Sequence, residues 1–136
     1  MEEKKKILIV EDDKDINRTL EIFVSMLGYE PLVAYDGMDG LNKAKTQNPD
    51  VIILDLMIPK LKGEELCREL KLSEEYKHIS VIMLTAKDSD VDRVVGRVIG
   101  ADVYMFKPCN LDQLERNISE LLKKQKDGES FPTVIE

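Results

Sequence analysis

The 136-residue sequence has little of what marks several large classes of protein. It contains no tryptophan, one histidine and only two cysteines, Cys67 and Cys109, which lie far apart and match no metal-ligand spacing. We therefore expect free thiols in a reducing compartment rather than a disulfide framework or a zinc site. No apolar run approaches the ~20 residues needed to cross a bilayer, and the first residues lack the apolar stretch of a secretory signal. A cytoplasmic protein with no membrane partner is expected.

Basic charge is also in deficit, since the formal net charge is −7. An acidic surface repels a nucleic-acid backbone, because neutralising phosphates requires lysine and arginine. We expect no direct contact between this chain and nucleic acid, so that any DNA would be bound by another domain or protein. Apolar residues make up 43% of the chain, which is enough for the core of one domain without disulfide support.

Five apolar segments predict five strands. Residues 7–10, 51–54 and 81–84 are continuous β-branched and aliphatic runs, a pattern typical of strands buried on both faces of a parallel sheet. Residues 31–35 and 103–106 are weaker candidates that suit outer positions.

Segments with helical spacing alternate with these strands. Ile16, Leu20 and Val24 share one face of a first helix that ends at Gly28, and later helices are predicted over 37–47, 63–72 and 89–99. A fifth helix follows Asn110, where a capping box is indicated. Strand–helix alternation repeated five times predicts a doubly wound α/β fold over residues 1–125, with helices on both faces of a parallel sheet. Residues 126–136 carry Gly and Pro without helical periodicity, and we interpret them as a flexible tail or the start of a linker.

Polar side chains follow four of the five predicted strands, and ligands of open α/β sheets bind beyond such strand ends. Glu11, Asp12 and Asp13 follow the first strand, Asp55 the third, Thr85 the fourth and Lys107 the fifth. Gathered carboxylates repel one another unless a cation lies between them, and oxygen ligands suit Mg²⁺. A carboxylate can attack a phosphoryl group when Mg²⁺ and an ammonium such as that of Lys107 neutralise charge. A magnesium-dependent site of phosphoryl transfer is therefore predicted.

Several short motifs stand at the ends of these strands. They are Ile7-Leu8-Ile9-Val10-Glu11-Asp12-Asp13, Asp55-Leu56-Met57-Ile58-Pro59 followed by Gly63, Leu84-Thr85-Ala86, Gly100-Ala101-Asp102 and Lys107-Pro108. This set resembles the response-regulator receiver family of two-component signalling over residues 5–125. The resemblance implies a (βα)5, flavodoxin-like fold with strand order 2-1-3-4-5 and a cis Lys107-Pro108 peptide. It also implies a switch rather than an enzyme, although one that catalyses its own magnesium-dependent aspartyl phosphorylation and dephosphorylation.

The same resemblance assigns the metal and the phosphoryl donor. Asp55 would be the phosphoacceptor, receiving its phosphoryl group from a sensor histidine kinase or a histidine phosphotransfer domain. Asp12 would bind Mg²⁺ directly together with Asp55, Glu11 would act directly or through water, and Met57 would contribute its backbone carbonyl.

Further residues would report and tune the signal. By the resemblance, Thr85 would hydrogen-bond one phosphoryl oxygen, Lys107 would pair with another, and Tyr104 would turn inward in the active state. Met57 and Lys87 would flank the site and tune the lifetime of the acyl phosphate.

The implied output is a shift in the surface formed by the fourth helix, the fifth strand and the fifth helix. An effector domain or a downstream protein would recognise it, and a homodimer through it stays open. Asp92-Arg93 resembles the winged-helix transcription-factor subgroup, whereas Val103 stands where that subgroup usually has a second aspartate.

Three alternatives belong to other classes. A flavodoxin-like nucleotide or flavin carrier is disfavoured because the acidic loop after the first strand contains no glycine and would repel phosphate. A metal-dependent phosphatase usually needs a second aspartate two residues after its nucleophile, where this chain has Met57. A pseudo-receiver, an interaction module no longer controlled by phosphorylation, is the third. Taken singly each polar residue could cap a helix or end a strand, but their coincidence at one edge favours phosphoryl transfer.

Overall fold

The structure is a computed structural model that describes residues 3–86, 100–128 and 134–135. Its centre is a parallel sheet whose spatial order is β2-β1-β3-β4-β5-β6. The predicted order 2-1-3-4-5 is confirmed, and a sixth strand extends it. The strands are β1 (Lys6–Val10), β2 (Glu30–Ala34), β3 (Val51–Asp55), β4 (Ser80–Ala86), β5 (Val103–Lys107) and β6 (Val134–Ile135).

Four of the predicted helices lie within the described residues. They are α1 (Lys14–Met26), α2 (Gly37–Gln47), α3 (Gly63–Lys71) and a C-terminal helix (Leu111–Asp127). The helix predicted over 89–99 falls outside the described residues, as does Lys87. Asn110 is the N-cap of the C-terminal helix, and its side-chain oxygen accepts a hydrogen bond from the Gln113 amide at 3.0 Å.

Two layers of apolar side chains cover the sheet, one on each face. Leu8, Val10, Ile52 and Leu54 pack against residues of α2 and α3, whereas the alternate residues of the same strands pack against α1 and the C-terminal helix. This two-sided burial explains why β1 and β3 are continuous apolar runs, since neither face of these strands meets water. No helix in the described parts of the chain is both long enough and apolar enough to span a membrane.

The sixth strand was not predicted. Within residues 126–136, the C-terminal helix continues to Asp127, and Val134 and Ile135 pair in parallel with Val103 and Tyr104 of β5. A two-residue strand is too short to show a period of two, so its sequence resembles that of an irregular segment. The assignment of this segment as a tail or linker stays a prediction.

An ion pair closes the sheet edge opposite the predicted site. The Lys71 ammonium lies 2.9 Å from Asp102 and also donates to the Ile79 carbonyl oxygen at 2.7 Å. The same Asp102 oxygen accepts a hydrogen bond from the Val81 amide at 2.7 Å. This one carboxylate therefore connects the end of α3 with the starts of β4 and β5.

We predict that Asp102→Ala lowers the free energy of unfolding by about 1–3 kcal/mol, because it leaves the Val81 amide and the Lys71 ammonium without that acceptor. Urea denaturation measures the change. The control is Glu74→Ala, which removes the exposed Lys77 partner at 2.8 Å and should cost no more than about 0.5 kcal/mol. Equal losses in the two variants would contradict the proposed role of Asp102.

Candidate functional site

The register of the sheet brings the predicted polar residues to one edge. Val10 lies beside Leu54, so Glu11, which follows β1, is level with Asp55, the last residue of β3. Asp55 lies beside Leu84, which places Thr85 one residue further along β4. Ala86 of β4 in turn lies beside Lys107, the last residue of β5.

Lys107 bridges two buried carboxylates at this edge. Its ammonium nitrogen lies 2.8 Å from Glu11 Oε1 and 2.9 Å from Asp55 Oδ2. Glu11 is 2% exposed and Asp55 is 6% exposed, so little water reaches either acid. Burial by itself lowers the pKa of the Lys107 ammonium, but its hydrogen bonds to Glu11 and Asp55 and their negative charges outweigh burial and raise the pKa above its usual value. Lys107 therefore stays positively charged at neutral pH. The predicted cis Lys107-Pro108 peptide is confirmed.

Backbone amides hold the second oxygen of each buried acid. Glu11 Oε2 accepts a hydrogen bond from the Asp13 amide at 3.0 Å, and Asp55 Oδ1 accepts one from the Met57 amide at 3.0 Å. Asp13 in turn caps α1, because its side-chain oxygen accepts from the Asp15 and Ile16 amides. Hydrogen bonds from the protein backbone thus orient both carboxylates.

Asp12 completes a cluster suited to a hard cation. Glu11, Asp12 and Asp55 each offer an oxygen, and these oxygens lie within 4.8 Å of one another. Desolvation, together with a hydrogen bond and charge repulsion from Glu11, raises the pKa of the Asp12 carboxyl above its usual value. Three carboxylates and one ammonium leave an excess of negative charge, which a divalent cation would relieve. The all-oxygen ligand set fits Mg²⁺ and does not fit zinc.

The likeness to known proteins agrees with this geometry. A family model described as the response regulator receiver domain matches residues 7–119. The chain belongs to the response regulator receiver family. Receivers act in two-component signalling as regulated domains rather than as conventional enzymes.

Two relatives are transcriptional regulators. The receiver is 39% identical over 120 residues to the alkaline phosphatase synthesis transcriptional regulatory protein PhoP of Bacillus subtilis, covering 88% of this chain and 49% of that protein. It is 42% identical over 121 residues to the probable transcriptional regulator ycf27 of Cyanophora paradoxa, covering 89% of this chain and 49% of that protein. The chain spans about half the length of the curated relatives it matches.

Solved receiver structures share the fold over nearly their whole length. A putative response regulator from Chloroflexus aurantiacus superposes with a TM-score of 0.84 at 28% identity, covering 89% of this chain and 99% of that one. A CheY-like response regulator receiver domain protein from Methanospirillum hungatei gives 0.86 at 29% identity, covering 93% and 100%.

Thr85, Met57 and Tyr104, for which roles were also predicted, differ in how deeply they are buried. Thr85 lies at the site edge and is 3% exposed, whereas the Met57 side chain is 78% exposed. Tyr104 is fully buried in the core and contacts Phe106 edge to face, with ring centroids 6.0 Å apart. Lys87 is outside the described residues. The signalling roles of these four residues stay predictions.

Two glycines behind the site lie against the backbone of other segments. A Cβ on Gly63 would lie 2.5 Å from the Asp55 carbonyl oxygen, and one on Gly37 would lie 1.9 Å from the Leu61 carbonyl oxygen. A larger side chain at position 63 would displace the backbone at Asp55, and one at position 37 would displace the backbone at Leu61. Neither contact was predicted from the sequence.

An apolar groove of about 590 Å³ opens beside Lys107. It runs between the first turns of α1 and the start of the C-terminal helix. The surrounding side chains include Ile16, Thr19, Leu20, Pro108, Cys109 and Leu111. A protein that packed into this groove would lie next to the buried acids.

We predict that Asp12→Asn stabilises the receiver at neutral pH when Mg²⁺ is chelated. A raised pKa means that the folded state binds the Asp12 proton more tightly than the unfolded chain, so ionising Asp12 opposes folding. The gain in the free energy of unfolding should be present above the pKa that Asp12 has in the folded protein, and it should fade as the pH falls through that pKa. Solvent screening limits it to below about 1 kcal/mol.

Thermal unfolding across a pH series with a chelator measures this effect. The control is Asp112→Asn in the first turn of the C-terminal helix, where an acid favours the helix dipole and no gain is expected. Destabilisation by Asp12→Asn at neutral pH would contradict the prediction that ionised Asp12 opposes folding.

Proposed function

We propose that Asp55 accepts a phosphoryl group from a phosphohistidine of a sensor histidine kinase or a histidine phosphotransfer domain, in a reaction that requires Mg²⁺. The observation that carries the proposal is the buried Asp55 carboxylate, which shares the Lys107 ammonium with Glu11. Such an arrangement offers an oxygen nucleophile next to a fixed positive charge, which is what phosphoryl transfer needs from a protein.

The proposed reaction forms one bond and breaks one. An Asp55 carboxylate oxygen attacks phosphorus, and the phosphorus–nitrogen bond to the donor imidazole breaks with its electron pair remaining on nitrogen. When the other ring nitrogen of the donor imidazole carries a proton, the products are an acyl phosphate on Asp55 and a neutral histidine on the donor. Lys107 neutralises charge on the phosphoryl oxygens, while the Met57 amide keeps the Asp55 side chain oriented. Mg²⁺, held by Glu11, Asp12, Asp55 and the Met57 carbonyl, would supply further charge neutralisation when bound.

The proposed output is a population shift at the surface that includes β5 and the C-terminal helix. Thr85 would gain a phosphoryl oxygen as a hydrogen-bond partner, and Tyr104 would favour its inward position. Because Thr85 pairs with Phe106, and Phe106 contacts Tyr104, a displacement of Thr85 has a short route to the switch aromatic. Met57 and Lys87 would tune how quickly water reaches the acyl phosphate.

The recipient of the signal would be an effector domain of a longer protein or a separate downstream protein. The two relatives described above carry about as much chain again and are named as transcriptional regulators, which favours an effector domain. We also propose that the receiver acts in the cytoplasm and contacts DNA only through another domain or protein. The same surface would form a homodimer. The groove beside Lys107 would admit the histidine-bearing protein.

The pseudo-receiver alternative lacks support, because the acids and the lysine remain assembled with direct contacts. A module that only bound partners would have no need of three carboxylate oxygens within 4.8 Å of one another. Such clustering lowers stability, so it is expected where the carboxylates serve binding or chemistry.

Incubation with acetyl phosphate or phosphoramidate should add the mass of one phosphoryl group to the intact protein in the presence of Mg²⁺. The gain should disappear with a chelator and in Asp55→Asn, because either change removes a part of the reaction. Asp112→Asn, which changes an aspartate at the start of the C-terminal helix, should be modified like the unchanged protein. Absence of modification with both donors would reject phosphorylation control and leave the pseudo-receiver.

A second prediction separates the chemistry from the switch. Thr85→Val keeps the shape of the side chain but loses the hydroxyl, so Asp55 should still be phosphorylated while the conformational response is lost. Hydrogen exchange of β5 and the C-terminal helix, measured before and after phosphorylation, reports that response. Thr46→Val, at an exposed position of α2, is the control. An unchanged response in Thr85→Val would exclude the proposed route through Thr85.

A further inference from the structure

Asn17 is a buried polar residue that the proposed chemistry does not use. It lies on α1 and is completely buried. Its side-chain nitrogen donates to the Glu11 carbonyl oxygen at 3.0 Å and to the Ala34 carbonyl oxygen at 3.1 Å. Ala34 O also accepts the Glu11 amide at 3.1 Å. One side-chain amide therefore fastens the end of β1 to the end of β2, where the acid loop (Glu11, Asp12 and Asp13) begins.

The contacts of Asn17 fix which chemical group can occupy this position. Two carbonyl oxygens require two N–H donors, and a carboxylate of the same shape would repel both. The Asn17 side-chain oxygen is itself buried and has no hydrogen-bond partner within the described part of the chain. Leaving a buried acceptor unpaired costs folding free energy, so a residue that served packing alone would be better replaced by an apolar one. The function of Asn17 must lie in its two donated hydrogen bonds.

These bonds act on the geometry of Asp12. A peptide unit is planar, so holding the Glu11 carbonyl also fixes the direction in which the chain enters Asp12. On the other side of Asp12, the Asp13 amide is bound to Glu11 Oε2 and Asp13 caps α1. Asp12 is exposed, in contrast to Glu11 and Asp55, and the anchored backbone on both sides of it directs its carboxylate toward theirs.

We propose that Asn17 is a positioning residue for the magnesium site: its amide sets the Glu11–Asp12 peptide and thereby the placement of the Asp12 carboxylate. The inference rests on the magnesium-dependent function proposed above. It assigns Asn17 no contact with the ion or with the phosphoryl group. Residues that orient metal ligands in this way commonly change metal affinity about 10–100-fold when replaced.

The test compares Asn17→Leu with Asn117→Leu. Asn117 is also a buried asparagine, but its side chain donates to the Met105 sulfur at 3.3 Å, on the C-terminal helix and away from the acid loop. Titration of ¹⁵N-labelled protein with MgCl₂, followed by NMR, gives the dissociation constant of each variant. Urea denaturation gives the stability of each, and Asn17→Ala replaces Asn17→Leu if the leucine variant does not fold.

Asn17→Leu should weaken Mg²⁺ binding about tenfold or more, whereas Asn117→Leu should change it less than about twofold at a comparable loss of stability. The Glu11 amide should also exchange faster in Asn17→Leu without Mg²⁺, since its acceptor Ala34 loses the second tether. Unchanged Mg²⁺ affinity in Asn17→Leu, or equal weakening in both variants, would overturn the proposal. Absence of Mg²⁺ binding by the unchanged protein would instead reject the metal site of the proposed function, and the role of Asn17 with it.

Discussion

The arrangement of the site depends on one ammonium group placed between two buried carboxylates. Two neighbouring carboxylates, Glu11 and Asp55, are buried here, and Lys107 supplies their positive partner at 2.8 and 2.9 Å. The three residues come from β1, β3 and β5 or from the loops that follow them. The contact therefore requires the strands to be in register, and any slip of the sheet would bury an unpaired charge.

The negative charge that Lys107 leaves uncompensated is what would make the proposed site responsive. A third carboxylate, Asp12, joins the cluster, and desolvation, a hydrogen bond with Glu11 and the charge of Glu11 together raise its pKa. Binding of a cation or a phosphoryl group would affect this charged cluster more strongly than it would affect a neutral pocket. The opposite edge of the sheet has a balanced pair, Lys71 and Asp102, and contributes stability instead.

Much of the fold could be predicted from local patterns. Strands that are buried on both faces are apolar along their length, so β1, β3 and β4 were identified from continuous apolar runs in the sequence. The helices that are described followed the spacing of their apolar residues. The two-residue strand β6 escaped prediction, because its pairing with Val103 and Tyr104 depends on the free edge of β5 rather than on its own sequence. The helix predicted over 89–99 and the position of Lys87 remain predictions.

The positions of the polar residues at the ends of the strands could be predicted from local patterns, because the alternation of strands and helices fixes which termini share an edge. Glu11, Asp12, Asp55, Thr85 and Lys107 were predicted in this way, and the strand register together with the contacts of the acids puts all of them at that edge. Which atoms meet depends on the folded chain: Lys107 contacts Glu11 as well as Asp55, and Asn17 joins β1 to β2. Such contacts join segments up to 96 positions apart, so no local pattern encodes them.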